Sequence, residues 1–300
     1  MKTDTHDVIV IGGGAAGLSA ALVLGRARRR VVVIDSGDPR NAPAAHMHGY
    51  LSRDGMPPAD LLRQGREEAA GYGVELVPGR VVSAEPGFSV RLTDGSTMAA
   101  RRLLLATGAT DVLPEIPGAA ERWGRDFLHC PYCHGWEVRD QRLGVLATGP
   151  GSVEHAHLVR QWSDELLFFA HTHELAGDER EQLEARGIGV VDGEVRRLVV
   201  EQDQLAGVEL ADGRVVERTA LFIRPGLRPR LDGPLEELGC ELDELGFVRV
   251  DGVGATSVSG VWAAGNVANP RAQVITAAGE GSAAAIAINS DLVQEDVSLE

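Results

Sequence analysis

The sequence predicts an α/β protein built on a doubled strand–turn–helix design, and three observations carry that reading. Val8 to Ile11 is a short continuous apolar run, as a strand buried on both faces requires, and it leads directly into Gly12-Gly13-Gly14-Ala15-Ala16-Gly17 and then a helical stretch, Leu18 to Leu24. The same order recurs at Leu143 to Ala147, the turn Thr148-Gly149-Pro150-Gly151-Ser152, and Val153 to Trp162. Two more short strands end in small-residue turns, Leu103-Leu104-Leu105 before Ala106-Thr107-Gly108, and Val261-Trp262-Ala263-Ala264 before Gly265-Asn266-Val267. The expected fold class is α/β, with two Rossmann-like (three-layer ββα) nucleotide-binding domains.

Each part of the first unit has a physical reason. Gly12 permits the tight turn, Gly14 lets a pyrophosphate approach the backbone, and Gly17 allows close helix–strand packing, with Ala15 and Ala16 opening the helix between them. The next strand, Val31 to Ile34, ends in Asp35, 18 residues beyond Gly17, followed by Ser36. A carboxylate at that place accepts hydrogen bonds from a ribose hydroxyl. The motif alone does not choose between NAD and FAD; the Ala106-Thr107-Gly108 and Gly265-Asn266 turns favour FAD. The Arg26–Arg30 basic run falls at the end of the first helix, where cations oppose the helix dipole.

Composition sets the limits. The chain has 300 residues, enough for two domains, since one core seldom grows beyond ~250 residues. A net charge of −15 argues against nucleic acid as a partner. No apolar run approaches the ~18 residues a membrane span needs, and the polar start shows no secretory signal, so a cytoplasmic protein is expected. Three cysteines do not make a disulfide framework.

Two of those cysteines carry the chemistry. In Cys130-Pro131-Tyr132-Cys133-His134, thiols two residues apart close into a small disulfide and open again at modest cost, a two-electron store. A zinc site would want four ligands, and only Cys240 remains beyond the pair. His129 and His134 are awkwardly placed to share an ion, and the i,i+2 spacing of His155/His157 and His171/His173 splays side chains apart. Inert buried thiols are the blander alternative, and Cys240 reads as a small core residue. An imidazole with its ordinary pKa near 6.5 takes a thiol proton at neutral pH, so His134 is the candidate base and His129 a second one.

Taken together, these motifs resemble the low-molecular-weight thioredoxin reductase family of flavoproteins over nearly the whole chain. The resemblance implies that the second domain is inserted into the first. Residues 1–113 and 242–300 would form the FAD-binding domain, and 114–241 a NAD(P)H-binding-like domain carrying the Cys-x-x-Cys. It implies that the first fingerprint binds FAD, that Ala106-Thr107-Gly108 closes the first FAD segment, and that Gly265 and Asn266 grip the ribitol. A helix beginning at Gln273 and Val274 would point its N-terminus at the flavin. Asp38-Pro39-Arg40-Asn41 and the His46-Met47-His48-Gly49-Tyr50 loop would lie near the FAD edge, the two histidines serving the loop. Asn266 stands where the family usually has aspartate.

The second unit departs from the family. Ala147 stands at the first glycine of its NADPH motif, and His171-Thr172-His173 replaces the His-Arg-Arg that grasps the 2′-phosphate, although Gly149-x-Gly151 could serve as a shifted motif for NADH. The run Cys-Pro-Tyr-Cys-His-Gly-Trp-Glu, residues 130 to 137, is similar to that of the dithiol oxidases that close disulfides in small natural products such as gliotoxin and holomycin. That resemblance implies a small-molecule dithiol substrate, O2 as acceptor, no NADPH, and a homodimer. In it Cys133 is the charge-transfer thiolate, Cys130 the interchange thiol, and His134 replaces the family's aspartate. The alternative is a thioredoxin-disulfide reductase supplied by NAD(P)H or ferredoxin; a flavin-binding redox sensor is a third reading.

Overall fold

The computed structural model describes residues 6–85, 87–230 and 237–298. It divides into two compact units, the first of residues 1–42, 57–110 and 227–300, the second of 43–56 and 111–226. The sequence places the boundaries at 113/114 and 241/242. The chain instead divides at 110/111 and 226/227, and the 43–56 segment groups with the second unit rather than with the nucleotide-binding first. The Pro225–Pro234 stretch expected at the second crossover lies partly outside the described residues.

In the first unit, β1 (His6–Ile11), α1 (Ala15–Arg26), β2 (Val31–Asp35), α2 (Pro58–Ala70) and β3 (Glu75–Pro78) follow the chain in Rossmann order. A hairpin, β4 (Val81–Glu85) and β5 (Ser89–Leu92), leads into the long strand β6 (Thr97–Leu105). The sheet runs β3-β2-β1-β6-β5-β4. Strand β6 serves two neighbours because of its length: Thr97–Ala99 pairs antiparallel with β5, whereas Ala100–Leu105 pairs parallel with β1. Strand β7 (Ala109–Val112) then leaves the unit.

In the second unit, α3 (Ala119–Arg122), β8 (Phe127–Leu128) and α4 (Pro131–His134) precede a parallel sheet. The sheet adds β9 (Leu143–Leu146), α5 (Ser152–Val159), β10 (Leu166–Phe169), α6 (Glu179–Ala185) and β11 (Gly189–Val191). An antiparallel sheet of β12 (Val195–Glu201), β13 (Gln204–Leu210) and β14 (Val215–Glu217) follows, then β15 (Ala220–Ile223), which returns to the parallel sheet in the order β11-β10-β9-β15-β8. Strand β16 (Gly226–Pro229) carries the chain back to β17 (Val261–Ala263), which pairs with β6, and to the terminal helix α7 (Val274–Ser298).

The period-2 alternation of strands explains the three layers of each unit. Val8, Val10, Val31, Val33 and Leu104 face α1 and α7, packing on Ala20, Leu24, Ala284 and Ile288. Their neighbours Ile9, Ile11, Val32, Ile34, Leu103 and Leu105 face the hairpin side, against Val81, Val90 and Leu92. In the second unit Val145, Phe168 and Phe222 pack on α5, while Leu146, Phe169 and Leu221 pack on Leu198, Val208 and Leu210 of the antiparallel sheet. Both units are therefore helix, parallel sheet and antiparallel layer in turn. No helix among the described residues is long and apolar enough to cross a membrane.

Helices α1 and α7 of the first unit pack backbone against backbone. A Cβ on Gly281 would stand 2.0 Å from the Ala16 carbonyl oxygen, so only hydrogen fits there. Gly281→Ala must push the helices apart. It is expected to cost about 2 kcal/mol, as overpacking of a filled interior does, read as a lowered denaturant midpoint with unchanged secondary structure.

Candidate active site

The nucleotide end of the first unit has the geometry its sequence requires. Gly12 has φ +111°, and a Cβ there would sit 2.2 Å from the Ala106 carbonyl oxygen; one on Gly17 would sit 1.9 Å from the Gly12 oxygen. Around Gly14, which precedes α1, a Cβ would meet nothing within 4 Å. The corner is thus closed where helix meets strand and open where a pyrophosphate would lie, so the residues fit a dinucleotide. Beside it is a cleft of about 260 Å³, lined by Gly13, Leu18, Val33, Asp35, Gly37, Arg66, Leu76, Val77 and Pro78. Arg66 Nη1 stands 3.7 Å from Asp35 Oδ2. It comes from α2, 31 positions away in the chain, so no local motif announced it. Ser36 is exposed and Asn41 half-buried.

The other expected cofactor residues form one fastened set of turns. Thr107 Oγ1 donates to the Arg230 carbonyl at 2.8 Å, and Arg230 N–H donates to the Gly108 carbonyl at 2.9 Å. Arg40 donates to Asn266 Oδ1 at 3.2 Å. Asn266 Nδ2 in turn donates to the carbonyls of Asn269 (3.0 Å) and Ala272 (3.1 Å), tying the 265–272 loop to the start of α7. An aspartate could make neither of these donations, which gives the asparagine a structural reason. Glu280, absent from the sequence reading, accepts from Gly265 N–H at 2.9 Å and from Asn269 at 2.6 Å. Helix α7 begins at Val274, and Gln273 lies just before it, its carbonyl accepting from Ala277 N–H.

The redox motif lies in the second unit. Strand β8 ends at Leu128; His129 follows, and Cys130 is the extended residue that starts α4, with Pro131 supplying a preset φ at the first helical position. The Cys130 carbonyl accepts from Cys133 N–H and His134 N–H, each at 3.1 Å, so a single turn holds both half-exposed cysteines. Gly135 is obligatory: a Cβ would stand 2.5 Å from the Pro131 oxygen and 2.8 Å from the Trp162 ring.

His134 is half-buried, and desolvation pushes its pKa below 6.5; Glu137 opposes this, while His48 adds to the lowering. His48 belongs to the 43–56 segment, which groups with the second unit. Its Nε2 is 3.4 Å from Glu137 Oε1 and its Nδ1 3.4 Å from Asp54 Oδ2. The sequence did contain Glu137, three places after His134, but nothing local linked His48 to it. His129 is half-buried, its ring 6.2 Å from that of His155. His155 is buried, with a pKa lowered to about 4, first by desolvation and then by His129 and Arg224, so it is a neutral group of the α5–β8 packing.

The second glycine turn differs from the first. A Cβ on Gly151 would stand 1.8 Å from Arg224 Nη1, so the guanidinium lies directly on the turn. Thr148 Oγ1 fixes the same residue by donating to its carbonyl at 2.8 Å. His171 accepts from Val195 N–H at 2.9 Å, and His173, which stands for one of the family's arginines, faces Glu179 at 3.9 Å, so both histidines serve neighbouring backbone or carboxylate.

Two Rossmann-type units, one with an open pyrophosphate corner and the other with a half-exposed Cys-x-x-Cys turn followed by an imidazole, are the frame of a flavin-linked disulfide oxidoreductase. The chain belongs to the pyridine nucleotide-disulphide oxidoreductase family, whose model matches residues 6–281. It is similar to the thioredoxin reductase sirT of Leptosphaeria maculans, 34% identical over 97% of this chain and 95% of that one. The thioredoxin reductase aclD of Aspergillus oryzae is 31% identical over 99% of each chain. Among solved structures, HlmI superposes with a TM-score of 0.95 at 56% identity, covering 98% of this chain and 94% of that one. An oxidoreductase from Agrobacterium tumefaciens has a TM-score of 0.91 at 39% identity, covering 96% and 99%. The protein is therefore an oxidoreductase of the thioredoxin reductase-like flavoprotein group.

Two outcomes follow from this geometry. Because burial lowers the His134 pKa, its imidazole is expected to titrate below pH 6.5. Glu137→Gln removes a raising influence and should move that titration to lower pH, as the His134 ring signals in an NMR titration would read. Asn266→Asp should loosen the 265–272 loop by about 2 kcal/mol, since two donations at roughly 1 kcal/mol each are lost; faster amide hydrogen exchange in that loop measures it.

Proposed function

We propose that the protein is an FAD-dependent dithiol oxidase that closes an intramolecular disulfide in a small-molecule dithiol, with O2 as the final acceptor and H2O2 as the product. The residues Gly12, Gly14, Ala15, Ala16, Gly17, Asp35, Ser36, Arg40, Asn41, Ala106, Thr107, Gly108, Gly265, Asn266, Gln273 and Val274 would hold the cofactor. Bound FAD supplies a two-electron acceptor that couples thiol oxidation to oxygen.

The chain's own chemistry is thiol–disulfide exchange. A substrate thiol loses its proton to His134, with His129 as a second candidate, and its sulfur attacks Cys130 of the Cys130–Cys133 disulfide. That bond breaks and Cys133 leaves as a thiolate. The second substrate sulfur then attacks the first, closing the product disulfide and releasing Cys130 as a thiolate. The substrate has lost two protons and two electrons, and the cysteine pair has gained both electrons. With O2 as acceptor, dithiol plus O2 gives disulfide plus H2O2.

The observation that supports this direction of electron flow is the segment after β10, where Thr172 and His173 stand in place of the family's arginine pair and offer no permanently charged fork to a 2′-phosphate. The 56% identity to HlmI over nearly the whole chain supports a close functional relationship with that protein. The relatives named thioredoxin reductase favour the opposite flow, from NAD(P)H or ferredoxin through the cysteines to a protein disulfide.

Anaerobic mixing separates the two. Dithiothreitol should bleach the flavin while NADPH leaves it oxidised; rapid bleaching by NADPH would overturn the oxidase. Cys130→Ser and Cys133→Ser should each lower aerobic dithiol oxidation by at least a hundredfold while the protein stays yellow.

A further inference from the structure

A cleft of about 320 Å³ opens beside the redox turn. It is lined by His48, Gly49 and Asp54 from one side, and by Tyr132, Trp136 and Glu137 from the other. Tyr132 directly precedes Cys133, so their α-carbons are one peptide, about 3.8 Å, apart. The two aromatic side chains are 65% and 64% exposed, yet both are held in place. Tyr132 meets Trp162 edge-on at 5.7 Å, and the Arg139 guanidinium lies 4.1 Å from the Trp136 ring centroid. Exposed rings fixed around a concavity next to a reactive pair are binding walls for an apolar ring or chain. The volume falls at the small end of ligand sites, which run from about 300 Å³ upward.

The carboxylates of the rim outnumber its one imidazole. Asp54 and Glu137 stand on either side of His48, each 3.4 Å from one of its ring nitrogens. Asp54 Oδ1 also accepts from Gly49 N–H at 2.8 Å, and these contacts hold its carboxyl below the usual range, so it stays ionised. Arg139 is the nearby cation, already engaged by the Trp136 ring and by the Trp136 carbonyl, which accepts from its Nη1 at 2.6 Å. A dithiol seated on the aromatic walls would bring its remaining substituents against two carboxylates.

We propose that this cleft selects its dithiol by charge, admitting neutral or cationic small-molecule dithiols and disfavouring those that carry a carboxylate. The inference rests on the dithiol-oxidase reading and assigns a substrate class to that site. A carboxylate several ångströms from two fixed carboxylates in a solvated cleft is repelled by an amount equivalent to about a fivefold loss in rate.

Dihydrolipoamide and dihydrolipoate test it, because they share one dithiol and differ only in a terminal amide or carboxylate. Oxidised holoenzyme is mixed anaerobically with each at low ionic strength, and the closed disulfide formed in a single turnover is quantified after acid quench. Dihydrolipoamide should react about fivefold faster. Asp54→Asn and Glu137→Gln should each narrow the ratio, and the double variant should bring it near one. The ratio cancels any change in His134 that both substrates share, and melting temperatures confirm that the variants fold. Glu201→Gln, at the end of β12 and outside the cleft, should leave the ratio unchanged. Equal rates in the native enzyme, a ratio indifferent to Asp54 and Glu137, or one that Glu201→Gln lowers equally would each overturn charge selection while leaving the oxidase reading intact. Closure of neither dithiol would overturn both.

Discussion

The first unit depends on backbone brought so close to backbone that no side-chain carbon fits between. Gly17 rests against the Gly12 carbonyl, Gly12 against the carbonyl of Ala106, and Gly281 against that of Ala16. These contacts set α1 hard onto the strand it follows and onto α7. They aim the open face of Gly14 and the first amides of α1 at one point. Everything attributed to the nucleotide end, from the Asp35 carboxylate to the Asn266 loop, is positioned by this packing.

The second unit uses the same three-layer arrangement with a different turn. Its glycines are present, but the space above Gly151 holds Arg224, and the turn residue Thr148 is committed to the carbonyl of that arginine. His171 and His173 are likewise committed to the surrounding structure. A fold inherited for binding a nucleotide can in this way keep its sheet, bury the same apolar faces and present a redox turn from β8 and α4. The turn needs only that scaffold and a place for Gly135 on Trp162.

At the redox turn two opposed effects act on one imidazole. Burial disfavours the charged ring, and Glu137 favours it; desolvation is the larger, so His134 is held in its base form through the neutral range. His48 links Glu137 to Asp54, and the resulting group of charges also forms the rim of the cleft. The His134 environment and the rim of the cleft therefore share Glu137 and His48, and a substitution in either is felt in both.

Much of this was legible in the sequence because it is local. The β1–α1 corner, the Ala-Thr-Gly turn, the Gly265 loop and the Cys-x-x-Cys with its histidine each depend on residues a few positions apart, and apolar runs of strand length announced the sheet between them. The limits of the compact units, at 110/111 and 226/227, depend on which sheet a strand joins, whereas proline only marks where the chain turns. What the tertiary structure alone decided lies at long separation. Arg66 meets Asp35, Glu280 holds Gly265 and Asn269, Arg224 covers Gly151, and His48 reaches Glu137 from a segment 89 positions earlier. Such pairings have no period and no spacing rule, because they arise where separate loops converge at the ends of a sheet, and only the folded topology brings those ends together.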